Sequence, residues 1–245
     1  MLPLQGAGGQ TIMIQKTLKT NQGRLLISMP QQLSEVTLGQ MMQLQDTPDL
    51  KDLDAISILS GVPATELQNV SNANDFMDFA DAVLNLSHQI KYLYSSDAVP
   101  KTVMLTVGEK QVTLDVLKNL SVEPAGAFMA ARDVIADEIA AHIKKYGEEN
   151  WQDYFNPSLT ACCKVLAYYF YCRATGNSYD EYAAANFTDV IKKLWVTEAL
   201  PIAKHFFMSF PNLSKPKTGF WHQLLHLLKK GLAYTLSKSL GISTP

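Results

Sequence analysis

The sequence contains no apolar run long enough to cross a membrane. Its most apolar stretch, LTACCKVLAYYFYCRATG from Leu159 to Gly176, is shorter than the roughly 20 apolar residues a spanning helix needs, and Lys164 and Arg173 interrupt it. The amino-terminal MLPLQGAGGQ lacks the basic start and long apolar core of a secretion signal, so an unsecreted protein is expected. Cysteine is scarce. Cys162, Cys163 and Cys172 cannot all pair within the chain, and no C-x-x-C spacing exists to build a zinc ribbon or a thioredoxin-type site. Three reduced, mostly buried thiols are expected, as in a reducing compartment. Charged residues make up only 18% of the chain and the formal net charge is −2, so no global field favours nucleic acid. Hydrophobic residues reach 47%, enough to bury a substantial core.

Acidic residues are missing altogether after Glu198, and the charge is therefore uneven. Residues 1–150 carry 11 Lys/Arg against 18 Asp/Glu, and residues 151–245 carry 10 against 5. The two ends either attract each other or meet different partners.

The pattern of residues predicts an α+β chain that is predominantly helical, with two small hairpins in its amino-terminal half. Residues 1–10 read as a flexible leader, 11–147 as an α+β domain and 151–245 as a helical domain with a basic carboxy-terminal helix. TIMIQKTLKTNQGRLLISMP reads as a hairpin turning at Asn-Gln-Gly and closed by Pro30. Thr37 is placed to cap a short helix carrying Leu38, Met41, Met42 and Leu44. A second helix stops at Gly61 and Pro63, and Thr65 is placed to cap a one-turn helix. A longer one presents Phe76, Phe79, Ala80, Val83, Leu84, Leu86 and Ile90 on one face. TVMLTV and QVTLD around GEK give the second hairpin, and the two hairpins are expected to share one sheet because an isolated hairpin is marginal. Helices then follow over 124–146 and near 158–174, 179–194, 197–209 and 219–240, with Pro201 expected in the first turn of its helix.

Chemical candidates are few. His222 and His226 stand at i and i+4 in FWHQLLHLLKK, the spacing of two zinc ligands on one helical face. The zinc-protease pattern needs a glutamate as base after the first histidine, and Gln223 cannot serve. Asp75, Asp78 and Asp81 fall on one helical side and read as a solvated face. No G-x-S-x-G elbow and no phosphate-cradling loop is present, and Cys162 and Cys163 lie in a run too apolar to favour the thiolate. The aromatic cluster between Trp151 and Tyr171 lacks interleaved basic residues and reads as core rather than a base-stacking platform. No catalytic, cofactor-binding or metal-binding residue is nominated.

Four segments carry a resemblance: LLISMPQQLSEVTLGQMMQLQ (Leu25–Gln45), LDAISILSGVP (Leu53–Pro63), VLAYYFYCRATGNSYDEY (Val165–Tyr182) and ALPIAKHFFMSF (Ala199–Phe210). In patches over about half of the chain they resemble small helical proteins of tailed bacteriophages, often of phages infecting Bacteroides-like hosts. That resemblance implies a virion or tail component or a tail-assembly chaperone, found in the virion or in the host cytoplasm during assembly. Its partners would be other phage structural proteins or further copies of itself, with no small-molecule substrate.

The chain is therefore expected to be a non-enzymatic phage structural or assembly protein that works by docking. The expected contact residues are Phe220, Trp221, Leu224, Leu228, Lys229 and Lys230 of the carboxy-terminal segment, together with the leader. The alternatives are a membrane- or DNA-associated accessory protein led by the basic end, and an enzyme with a composite site.

Overall fold

A computed structural model describes residues 13–119, 123–149, 151 and 155–209. Contacts divide the chain into Met1–Phe206 and Phe207–Pro245. Every element named below lies in the first unit, except the last three residues of the final helix. The expected boundary near residues 148–150 falls inside that first unit. Among the described residues, no helix is long and apolar enough to cross a membrane.

The architecture is α+β and mainly helical. Strands β1 (Met13–Thr20) and β2 (Gly23–Pro30) pair antiparallel, from Met13 opposite Pro30 to Thr20 opposite Gly23. The turn uses Asn21 and Gln22, and Gly23 takes a φ of 138°, a value that side chains resist. Ile27 and Met29 point from one face of β2 into the core. Strands β3 (Thr102–Val107) and β4 (Lys110–Asp115) form the second hairpin, with Val103 and Leu105 inward.

The two hairpins do not share a sheet: each is a separate two-stranded ribbon. The expectation of a common sheet fails because helices do the covering. Helix α2 (Asp52–Ser60) packs on β2, while α6 (Leu159–Thr175) and α8 (Thr188–Ile191) pack on the second hairpin. A hairpin whose inner face lies on a helix needs no further strand.

The helical layer continues through α1 (Leu38–Asp46), α3 (Ala64–Leu67), α4 (Met77–Ile90), α5 (Ala125–Tyr146), α7 (Glu181–Asn186) and α9 (Val196–Ser209). Pro63, not Thr65, stands before α3. Pro201 falls in the second turn of α9, beyond the first turn expected for it. On α4 the core side chains are Phe79, Ala82 and Leu86, while Leu84 is exposed. The apolar arc is thus narrower than the sequence pattern implied, because only one side of α4 meets other elements.

Helix α6 forms the centre. Leu159, Cys162, Cys163, Val165, Leu166, Tyr169 and Phe170 are all buried, so the helix is enclosed nearly all round. It packs against α5, α7, α8, α1 and the second hairpin. Ser158 caps it, accepting the Ala161 N–H at 3.1 Å, and Gly176 ends it in the left-handed region at φ 73°.

The VTLGQ segment explains how the first half of the chain is fastened to this centre. Thr37 Oγ1 accepts the Gln40 N–H at 3.2 Å, and Gln40 Oε1 accepts the Thr37 N–H at 2.9 Å, a capping box. The Leu38 N–H donates to the Leu194 carbonyl and the Gly39 N–H to the Lys192 carbonyl, both at 2.8 Å. The Val196 N–H returns a bond to the Val36 carbonyl at 2.8 Å. Gln40 Nε2 then donates to the Leu59 carbonyl at 2.9 Å, tying α1 to the end of α2. Gly39 is required by proximity: a Cβ there would lie 3.0 Å from Lys192 Cβ and 3.1 Å from the Lys192 carbonyl oxygen.

A Gly39→Val chain is expected to lose about 1–3 kcal/mol of stability, the usual cost of forcing atoms into packed space. Urea denaturation measures it, and an unchanged midpoint would show that the 192–196 turn yields freely.

Candidate functional site

The residues expected to make contacts, Phe220, Trp221, Leu224, Leu228, Lys229 and Lys230, lie outside the described residues, as do His222, His226 and the leader. The remaining candidates have definite surroundings.

The three cysteines are free thiols, Cys162 and Cys163 buried and Cys172 partly so. Burial pushes the Cys163 thiol up to about 11 and the Cys162 thiol higher still. Burial also raises Cys172. Each is held in the unreactive protonated form at neutral pH. Among the described residues no group of three or more His, Cys, Asp or Glu is arranged to hold a metal ion. Asp75 belongs to the 3₁₀ turn before α4, while Asp78 is ion-paired with Lys16 of β1.

One polar cluster is buried. The Tyr169 hydroxyl accepts the Leu117 N–H at 2.7 Å and donates to the Leu117 carbonyl at 2.6 Å. Arg173, one turn later, donates from Nη1 to the Asp115 carbonyl at 2.9 Å. Its guanidinium carbon lies 4.5 Å from the centre of the Tyr169 ring. Its Nε approaches Glu123 Oε1 at 2.8 Å, a charge contact without good hydrogen-bond alignment. The Glu123 side chain is 1% exposed. Burial raises its carboxyl above the usual range, and the Arg173 charge opposes that rise. These groups fasten α6 to the segment leaving β4, with Arg173 Nη2 left buried and without a hydrogen-bond partner among the described residues. The sequence hinted at this only through Arg173, an isolated cation in an apolar helix.

One feature open to an outside partner is apolar. A cavity of about 350 Å³ opens between α1, α2 and α4. Its floor consists of Met41, Ala55, Leu59, Leu86 and Leu159, all buried. Leu44, Val83, Ile90 and Leu93 form half-buried walls, and Gln45, Leu50 and Ser87 stand exposed at the rim. Two of its hydroxyls are already satisfied. Ser87 Oγ donates to the Leu84 carbonyl at 2.7 Å, and the Tyr94 hydroxyl donates to the Pro157 carbonyl at 2.9 Å. Burial raises the Tyr94 phenol above its ordinary value, so it remains a neutral donor. Such a volume would hold about ten waters, and among the described residues the only polar side chains lining it are Gln45, Ser87 and Tyr94, too few partners to satisfy them. The arrangement favours an apolar occupant. Sequence reading placed Met41, Leu44, Val83 and Ile90 on apolar faces. It could not tell that the faces of three helices converge without closing.

No family model matches this chain, and neither the curated proteins nor the solved structures contain a match.

Two measurements check these assignments. Arg173→Met is expected to cost about 3 kcal/mol at neutral pH, because it leaves the buried Glu123 carboxylate unpaired. Without the guanidinium the carboxyl's folded pKa lies above its unfolded value. The penalty is then full above the folded pKa and disappears as pH falls below the ordinary glutamate range. Denaturation at several pH values should show the loss shrinking in acid, and adding Glu123→Gln should recover part of it at neutral pH. Ser87→Trp is expected to plug the cavity mouth and reduce binding of an apolar fluorescent dye. As a surface change it should alter stability by no more than about 0.5 kcal/mol.

Proposed function

We propose that this chain is a non-enzymatic structural or assembly component of a tailed-bacteriophage particle, acting by docking on other proteins through the apolar cavity. The observation that supports this reading is where the cavity walls originate. Met41, Leu44 and Gln45 belong to Leu25–Gln45, and Ala55 and Leu59 belong to Leu53–Pro63. These are two of the segments that resemble phage proteins. The same residues that carry the resemblance thus line an apolar concavity open to solvent, a surface suited to receiving part of another protein.

A second reading rests on the charge of residues 210–245, which contain five lysines and no acidic residue. Such a segment suits an accessory protein attracted to anionic membrane or DNA. Pull-down on anionic liposomes and on duplex DNA at low and high salt separates the readings, since only electrostatic attraction of this kind fades with salt.

The docking reading is tested in the phage that encodes the chain. With Ser87→Trp in place of the native gene, the protein is expected to accumulate folded while the yield of infectious particles falls at least tenfold. Normal yield with a plugged cavity would reject the cavity as the docking surface. An unchanged yield after deletion of the gene would reject the assembly role itself.

A further inference from the structure

The charge around the cavity specifies its partner more narrowly than its apolar lining does. Residues 45–54, which lead from the end of α1 into α2, supply Gln45 and Leu50 of the rim. This segment holds Asp46, Asp49, Asp52 and Asp54 against the single cation Lys51. Asp46, Asp49 and Asp52 are exposed. The Asp54 carboxylate accepts the Lys51 N–H at 3.3 Å beside the α2 entry. On the floor, Leu159 follows Ser158, whose N–H and hydroxyl both donate to the Glu138 carboxylate, at 2.6 and 3.1 Å. The α4 wall and the residue after it bring the titratable His88 and one cation, Lys91. Lys204, the other nearby cation, is taken up by the Tyr94 carbonyl at 3.0 Å and Asp97 at 2.6 Å. Acidic groups therefore outnumber free cations around an apolar opening.

Resting on the docking role proposed above, we infer that the cavity receives the apolar face of a basic amphipathic helix from a partner protein. Leucine-sized side chains of that helix enter between α1, α2 and α4. Its lysines or arginines lie over Asp46, Asp49 and Asp52. A groove flanked by helices accepts such a helix through side chains at i, i+3 and i+4. Charge complementarity at the rim selects its sign and speeds its arrival. The floor contributes apolar burial, and the rim contributes discrimination.

The test uses the full chain and two labelled helical peptides of about 20 residues. Both carry leucines on one face; one carries lysines and the other glutamates on the opposite face. Fluorescence anisotropy is expected to show the lysine peptide binding at least tenfold more tightly than the glutamate peptide. That preference should shrink as salt rises, because exposed charges are screened. Asp46→Asn, Asp49→Asn and Asp52→Asn together should weaken the lysine peptide severalfold, and Ser87→Trp should remove binding of either. Equal binding of both peptides, still lost in Ser87→Trp, would overturn the basic-helix assignment and leave the docking role standing. Binding that survives Ser87→Trp would overturn both. Absence of binding by either peptide would overturn the helix assignment, while particle yield with the plugged cavity would judge the docking role independently.

Discussion

The first backbone amides of α1 need acceptors, as at every helix start, and here they find two of them in the turn after α8. Leu38 and Gly39 donate to carbonyls of the 192–194 turn, and Thr37 supplies the cap for Gln40. A helix end usually satisfied by water or by its own side chains becomes a joint between distant parts of the chain. The joint requires a residue without a side chain at Gly39, and a capping pair at Thr37 and Gln40. Most of the VTLGQ pattern follows from that requirement. Gln40 extends the joint by reaching the carbonyls at the end of α2, so α1, α2 and the 192–196 turn are set by one small group of bonds.

Helix α6 provides the mass to which this joint is fixed. Its enclosure on nearly every side requires its polar groups to be answered locally. Tyr169 and Arg173 meet that demand by binding the backbone at Leu117 and Asp115, and Arg173 also faces the buried Glu123. A guanidinium suits this position because it stays charged, stacks on the Tyr169 ring and donates to the Asp115 carbonyl while facing the Glu123 carboxylate. The cluster is inward-facing, which is why it reads as a fastening of α6 to the second hairpin.

The cavity follows from the same geometry. Gln40 ties α1 to α2, and Gln89 ties the 3₁₀ turn before α1 to α4, so the same bonds position the three helices whose faces line the cavity. Gln89 accepts the Leu33 N–H at 2.9 Å and donates to the Gln31 carbonyl at 3.3 Å. The space left is apolar on its floor and acidic along one edge. That combination directs attention to α1, α2 and α4, beside the carboxy-terminal segment that the sequence singles out and that lies outside the described residues.

Much of the fold was legible in the chain itself. The Asn-Gln-Gly turn, the Thr37 cap, Gly61 as a helix end, and the mostly apolar α6 each depend on neighbours within a few residues, where backbone preference and periodicity decide the outcome. The sequence alone thus determined the two hairpins, the predominance of helix and the burial of Cys162 and Cys163. The tertiary structure decided what depends on meetings between distant residues. The hairpins stay apart because helices cover them, Gly39 is needed because Lys192 lies against it, and Glu123 faces Arg173 across a loop. Leu84 is exposed and Val83 lines a cavity though both are apolar neighbours on one helix, because periodicity describes a helix's own faces and only packing determines which face is covered.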